Sequence, residues 1–228
     1  PTKAGVAVVD VLTGLHAAVA ILAALHHRDR TGEGQRVEAT LLGALQSSLV
    51  NQAAAYVGAG DIPTFMGNAH PSIAPYEVLP TADRPLVVAV GNDAQFAKLC
   101  TVLGVAHLAE DPRYATNAER VANRSALKAV LEEVLMARSA DEWQADLTAV
   151  GVPSGPINDI AQGFDLATRL GLEPVVEVVD PRREVPQRQV ANPVSYSRTP
   201  PAYRSAPPRV GEDRAFVLDL LGLAGGAS

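Results

Sequence analysis

VAVVDVLTGLHAAVAILAAL, residues 6–25, is the stretch on which the fold turns. Apolar residues recur at Leu12, Leu15, Val19, Leu22 and Leu25, a helical spacing that opens an Ala/Leu-rich helical segment over about residues 10–58. Its longest apolar run, Leu15–Leu25, is interrupted by His16 and falls short of the ~20 residues of a membrane span, so it reads as a buried core helix. Asp10 is the carboxylate of this stretch. At a helix start such a group is either an N-cap or a reactive group, and on local sequence the cap is the commoner role.

Composition narrows the function classes. Hydrophobic residues make up 47% and charged residues 19%, a globular balance. The net charge of -6 and a pI near 5.4 exclude the concentrated basic face of a nucleic-acid binder. Aromatic content of 4% excludes a base-stacking platform. No nucleic-acid or membrane partner is expected. The lone Cys100 has no internal disulfide partner, reads as a core residue, and fits a reducing compartment: the cytoplasm, or the mitochondrial matrix in a eukaryote.

Outward from the first helix, His26–Gly34 reads as a polar turn and Gln35–Ala39 as a short extended piece. A second helix is expected over about Leu41–Tyr56, closing near Gly58 and Gly60. Two helices this apolar belong to a larger body. The Pro/Gly/Asn-rich stretch 61–75 is a linker. Tyr76–Leu79 and Leu86–Gly91 then predict antiparallel strands about the turn Thr81–Pro85. Phe96, Leu99, Cys100 and Leu103 predict a helix ended by Gly104; Ser125 is the expected cap of the next. Ser139-Ala-Asp-Glu142 is a capping box for a helix carrying Trp143 and Leu147. Val152–Ile157 reads as a rigid turn, Asn158 as the cap of a helix through Leu170, and Val175–Val179 with Glu184–Pro186 as a hairpin. A proline-rich strap, Ala191–Pro208, leads to a last helix over about Glu212–Leu221.

Several constellations carry no chemistry. His26 and His27 are adjacent, so on a helix they diverge and cannot chelate as an i, i+4 pair does; no metal site is expected. Gly32-Glu-Gly34 lacks the continuation of a phosphate-binding loop. Ser154 has no local base, and the acidic pairs Glu132-Glu133 and Asp141-Glu142 read as solvated helix faces.

Six ordered blocks are more specific. They are Asp10-x-x-Thr13-Gly14; Ile21-Leu-Ala-Ala-Leu25; Thr31-Gly32-x-Gly34-Gln35-x-Val37; Gly67-Asn68-x-His70-Pro71-x-Ile73-Ala74-Pro75-Tyr76; Gly91-Asn92-Asp93-x-Gln95-Phe96; and Val152-Pro153-x-Gly155-Pro156-Ile157. In order and spacing they resemble the C-terminal portion of the family III CoA-transferases (CaiB/BaiF-like), a group that includes formyl-CoA transferase, carnitine CoA-transferase and the α-methylacyl-CoA racemases. The fourth block looks most like that of the succinyl-CoA-dependent dicarboxylate transferases.

The resemblance implies an α/β fold lacking its N-terminal nucleotide-binding-type half. Residues 1–60 would be the helical part of the large domain carrying the nucleophile, 61–75 a linker, and 76–187 a small α/β domain. Residues 188–228 would form an extended return segment whose helix packs on the large domain. The resemblance also implies that Asp10 attacks an acyl-CoA thioester, with succinyl-CoA as a candidate, and that a carboxylate acceptor takes the CoA. CoA thioester would be a substrate, with no permanently bound cofactor. A carboxylate is a weak nucleophile toward a thioester, so positioning and oxyanion donors must help it. Gly67, Asn68 and His70 are the candidates to bind substrate or oxyanion; Gly67-Asn68 reads equally as a plain linker turn, and His70 as a ligand of loop backbone. An α-methylacyl-CoA racemase and a non-catalytic truncated subunit are the alternatives. An interlocked homodimer, or association with a complementary N-terminal half, is the expected assembly. Asp83-Arg84-Pro85 stands where relatives usually have Asp-Gly, which implies another turn type.

Overall fold

The computed structural model describes residues 5–223; residues 1–4 of the expected helical part and 224–228 of the expected return segment lie outside the described residues. Helix α1 (Val8–Thr31) runs through the histidine pair and Arg28–Thr31, well into the stretch His26–Gly34 expected as a turn. Its true stop is Gly32, left-handed at φ 78°, whose N–H reaches the Arg28 carbonyl. The residues HHRDRT are polar but tolerated in a helix, and two of them, Arg28 and Arg30, suit its C-terminal dipole. None of the α1 side chains is buried, so the core-helix expectation does not hold within this chain. At 24 residues, with a mean hydropathy of 2.1 over its most apolar window, α1 reaches the length and composition of a membrane span. An apolar core helix of a soluble protein meets the same measure.

The expected second helix is two: α2 (Leu41–Ser48) and α3 (Val50–Ala59). Ser48 Oγ donates back to the Ala44 carbonyl at 2.7 Å, and the Leu49 N–H turns to the Gln46 carbonyl. Such back-bonding bends helices, and Val50 follows at φ 45°, a left-handed angle that is unusual for a β-branched residue. Thr40 caps α2 through Gly43 N–H, and Gly60 closes α3.

Strands β1 (Tyr76–Leu79) and β2 (Leu86–Ala89) form the expected hairpin. A third strand, β3 (Ser154–Pro156), lies antiparallel to β2 where a turn was expected. Prolines 153 and 156 lack N–H groups, but β3 is the sheet's edge, where that is tolerated; the sheet order is β1-β2-β3. On the buried face Leu79, Leu86 and Val88 meet three helices, α4 (Asp93–Val102), α6 (Arg124–Leu135) and α7 (Ala140–Ala149), while the short α5 (Asn117–Ala122) lies before α6 and buries Arg120. Leu127, Leu131 and Leu135, one helical turn apart on α6, are fully buried with Phe96, Leu99 and Leu147, and Trp143 packs beside them. Truncating one such leucine to Ala costs about 2–5 kcal/mol. This cluster, from Leu79 to Val152, is the chain's hydrophobic core.

Local caps set these helices. Asn92 caps α4 through Gln95 N–H, and the Ser139/Glu142 capping box starts α7 as expected. Asn123, not Ser125, precedes α6, because its side chain is drawn to the Arg113 and Glu119 carbonyls. Asp159, not Asn158, caps α8 (Ile160–Arg169), in a second capping box with Gln162; Asn158 instead accepts from Arg84 Nη1. In the Asp83-Arg84-Pro85 turn, Thr81 Oγ1 donates to the Asp83 carboxylate and lies 2.6 Å from the Arg84 carbonyl. The Ala140 N–H, above all, holds the Asp83 carboxyl below its usual range.

The last sheet pairs β4 (Val175–Val178) with β5 (Gln187–Val190), later than the expected 184–186, since Asp180 organises residues 180–183 as a turn. The chain then runs extended to α9 (Arg214–Leu220). Asp180, buried, binds Arg182 and the Ala206 N–H, and Arg183 binds Glu212 through two nitrogens, so the tail is tied back to the turn.

Candidate functional site

Asp10 lies in the first turn of α1, two residues inside its start, so it is not the cap. Ala7 holds the cap position and offers no side-chain acceptor. The Asp10 side chain is exposed, and among the described residues its carboxylate takes part in no hydrogen bond or ion pair. Thr13 and Gly14 follow three and four residues on, along the same helix face. Thr13 Oγ1 donates to the Val9 carbonyl at 2.7 Å, which turns the hydroxyl back onto the helix. A Cβ on Gly14 would meet nothing within 4 Å, so that face is open.

The segment 67–76 is built differently. Gly67, at φ 65°, and Asn68 are the middle of a tight turn closed by Ala69 N–H to the Met66 carbonyl at 3.2 Å. A left-handed angle of this kind favours glycine at that point. Asn68 Oδ1 accepts from Val78 N–H at 3.0 Å, anchoring the turn to β1. His70 N–H reaches the Tyr76 carbonyl at 2.9 Å, and the imidazole stacks on the Tyr76 ring with centroids 5.2 Å apart. Ser72 N–H donates to His70 Nδ1 at 3.2 Å. A neutral imidazole that accepts at Nδ1 carries its hydrogen on Nε2, so His70 presents an Nε2–H donor.

Sequence reasoning missed what lies beneath this loop. Asn117 Oδ1 accepts from Ala74 N–H at 3.2 Å, and its Nδ2 donates to the Ser72 carbonyl at 2.9 Å. Arg120, fully buried, donates Nε–H to the Ala74 carbonyl at 2.7 Å, Nη1–H to the Tyr114 carbonyl at 3.0 Å and Nη2–H to Asp93 at 2.8 Å. Its guanidinium also sits 4.4 Å above the Phe96 ring. Arg124 Nη2 donates to the His70 carbonyl at 2.7 Å. Buried Glu77 pairs with Lys128 at 3.1 Å beside it. Asn117 and Arg120 share one face of α5 and Arg124 opens α6; arginine's usual place in solvent hid the group.

The structure brings Gly67, Asn68 and His70 together in one loop. It joins Asp10 to none of them by a hydrogen bond or ion pair among the described residues. Two other features lie apart from these residues. Burial pushes the Cys100 thiol up to about 11, which keeps it protonated and inert. An apolar groove between α8, the β4–β5 hairpin and the tail is lined by Phe164, Leu172, Val190, Tyr196 and Tyr203.

Comparison with known proteins accounts for the pattern. The model of the family described as "CoA-transferase family III" matches residues 1–214. A succinate–glutarate CoA-transferase of Agrobacterium fabrum is 41% identical over 96% of this chain and 54% of its own length. An acyl-CoA transferase of Fusarium pseudograminearum is 38% identical over 98% of this chain and 49% of its own. A crystal structure of a CAIB/BAIF family protein from Brucella suis superposes with a TM-score of 0.77 at 40% identity, covering 97% of this chain and 57% of that one. The α/β fold class is therefore that of its structural neighbours. The chain spans about half the length of the curated relatives it matches.

Proposed function

The chain belongs to CoA-transferase family III, and from that premise we propose that it carries the nucleophile of an acyl-CoA:carboxylate CoA-transferase. The observation that carries this reading is Asp10: an exposed carboxylate, unengaged among the described residues, in a first helical turn whose cap position, Ala7, offers no side-chain acceptor, inside the region the family matches. An uncapped turn leaves N–H groups and a positive dipole end close to the reacting carboxylate, where negative charge must be held.

The proposed sequence conserves every group. An Asp10 oxygen adds to the thioester carbonyl and CoA thiolate leaves, giving an aspartyl–acyl anhydride. The thiolate adds to the Asp10 side-chain carbonyl and expels the donor carboxylate, giving an aspartyl–CoA thioester. The acceptor carboxylate then displaces the thiolate, forming a second anhydride. Thiolate attack on its acceptor carbonyl releases the new acyl-CoA and restores Asp10. Each addition places negative charge on a carbonyl oxygen. The amides about Gly67–Asn68 and the His70 Nε2–H are the proposed donors to it.

The Agrobacterium relative is named for succinate and glutarate. Small dicarboxylates, with succinyl-CoA as donor, are accordingly the proposed substrates. The apolar side chains left exposed on α1 to α3, Leu15, Leu22, Leu42 and Val57 among them, are proposed to be covered by a second copy or a complementary N-terminal half. The test is an assay of glutaryl-CoA formation from succinyl-CoA and glutarate by the intact protein. Activity that disappears in Asp10→Asn supports the reading. Turnover by Asp10→Asn at the parent rate sinks it.

A further inference from the structure

The loop that bears His70 has almost no regular structure between Gly67 and Pro75, yet little of its backbone is free to move. Asn117 takes one N–H and one carbonyl, Arg120 takes the Ala74 carbonyl, and Arg124 takes the His70 carbonyl. These three side chains come from α5 and the first turn of α6, and α6 is fixed to the core through Leu127, Leu131 and Leu135. Arg120 itself has nowhere to go: it is fully buried, with three hydrogen-bonding nitrogens and an aromatic ring beneath it. The loop is therefore mounted on a buried arginine and on the first residue of a helix anchored in the close-packed core.

Such mounting is more than loop closure requires. The Tyr76 carbonyl and the Asn68 side chain already pin the segment's ends. The added bonds fall between them, at residues 70, 72 and 74, and they set the direction of the His70 ring through Ser72. Donors that stabilise developing charge work because they do not have to reorganise as the charge appears. We infer that Asn117, Arg120 and Arg124 are positioning residues for acyl transfer: they hold the 70–74 backbone so that the His70 Nε2–H and the Gly67–Asn68 amides stay aimed at the reacting carbonyl. The inference rests on the reading of this loop as the oxyanion side of the site.

Two conservative variants of the intact protein test it. Asn117→Asp keeps the acceptor for Ala74 N–H and suits the start of α5, but sets oxygen against the Ser72 carbonyl. Arg120→Lys keeps the charge and loses the fork that spans three partners. The readouts are kcat and KM for succinyl-CoA with glutarate, the melting temperature, and amide hydrogen exchange over residues 68–76. The expected result is faster exchange in the loop and kcat lowered about 10- to 100-fold, with KM for succinyl-CoA changed less than about twofold. Asn117→Asp does this without loss of melting temperature, which separates positioning from global stability. Parent-level kcat in both variants overturns the inference, as does unchanged loop exchange. An active Asp10→Asn would remove Asp10 as nucleophile, while the kcat and exchange of the two variants would still decide whether the loop is held for catalysis.

Discussion

Arg120 donates its Nε–H to the carbonyl oxygen of Ala74 at 2.7 Å, across 46 positions of sequence, from a side chain with no solvent exposure. One guanidinium thereby ties the loop before β1 to α5 and, through Asp93, to the start of α4. Replacing it with Met leaves the Ala74 and Tyr114 carbonyls without that donor, Ala74 being itself buried. Lost hydrogen bonds to a charged donor and unsatisfied buried acceptors together cost about 3 kcal/mol or more. Urea unfolding of Arg120→Met is expected to show that loss, with a smaller loss in Arg120→Lys. A midpoint equal to the parent's would mean the tie is ornamental.

Acid is expected to release the tail before it unfolds the core. The Arg183 guanidinium holds the Glu212 carboxyl down to about 2, from an ordinary 4.5. Asp180, held chiefly by Arg182, lies lower still. A depressed carboxyl stabilises the fold above its unfolded pKa and loses that contribution as pH falls through the folded one. The window for Glu212 therefore runs from about pH 4.5 down to about 2. Amide exchange over residues 204–214 should rise through that window ahead of the 79–152 core. Simultaneous exposure of both would contradict this assignment.

Cys100 is expected to resist thiol reagents in the native protein. It is completely buried, and its thiol stays protonated because burial raises it to about 11. At pH 8 an aromatic disulfide reagent should label it only in denaturant. Rapid native labelling would show that α4 opens readily.

Much of the fold was legible because it is locally written. The β1–β2 alternation, the Ser139/Glu142 capping box and the Gly104 stop each depend on a few adjacent residues, and each stands where the sequence puts it. What was illegible depends on partners far along the chain. β3 is a strand only because Leu86–Val88 offers it an edge, and its prolines read as a turn in isolation. The break at Leu49–Val50, where the Leu49 N–H turns to Gln46 and Val50 takes a left-handed angle, is concealed by a run of good helix formers. At the candidate site, Asp10 and the Gly67–His70 block are singled out by the pattern of blocks. Their support could not: Asn117, Arg120 and Arg124 look like the solvated face of a short polar helix until the loop is laid on them.

CoA transfer by the proposed route requires that Asp10 become covalently activated. Incubating the intact protein with succinyl-CoA and hydroxylamine, followed by peptide mass spectrometry, tests it directly. Hydroxylamine attacks an aspartyl anhydride or aspartyl thioester and leaves a hydroxamate on the side chain. The expected product is a hydroxamate at Asp10, dependent on succinyl-CoA and absent in Asp10→Asn. Turnover of succinyl-CoA with no modification of Asp10, or with the hydroxamate on a different carboxylate, would contradict it.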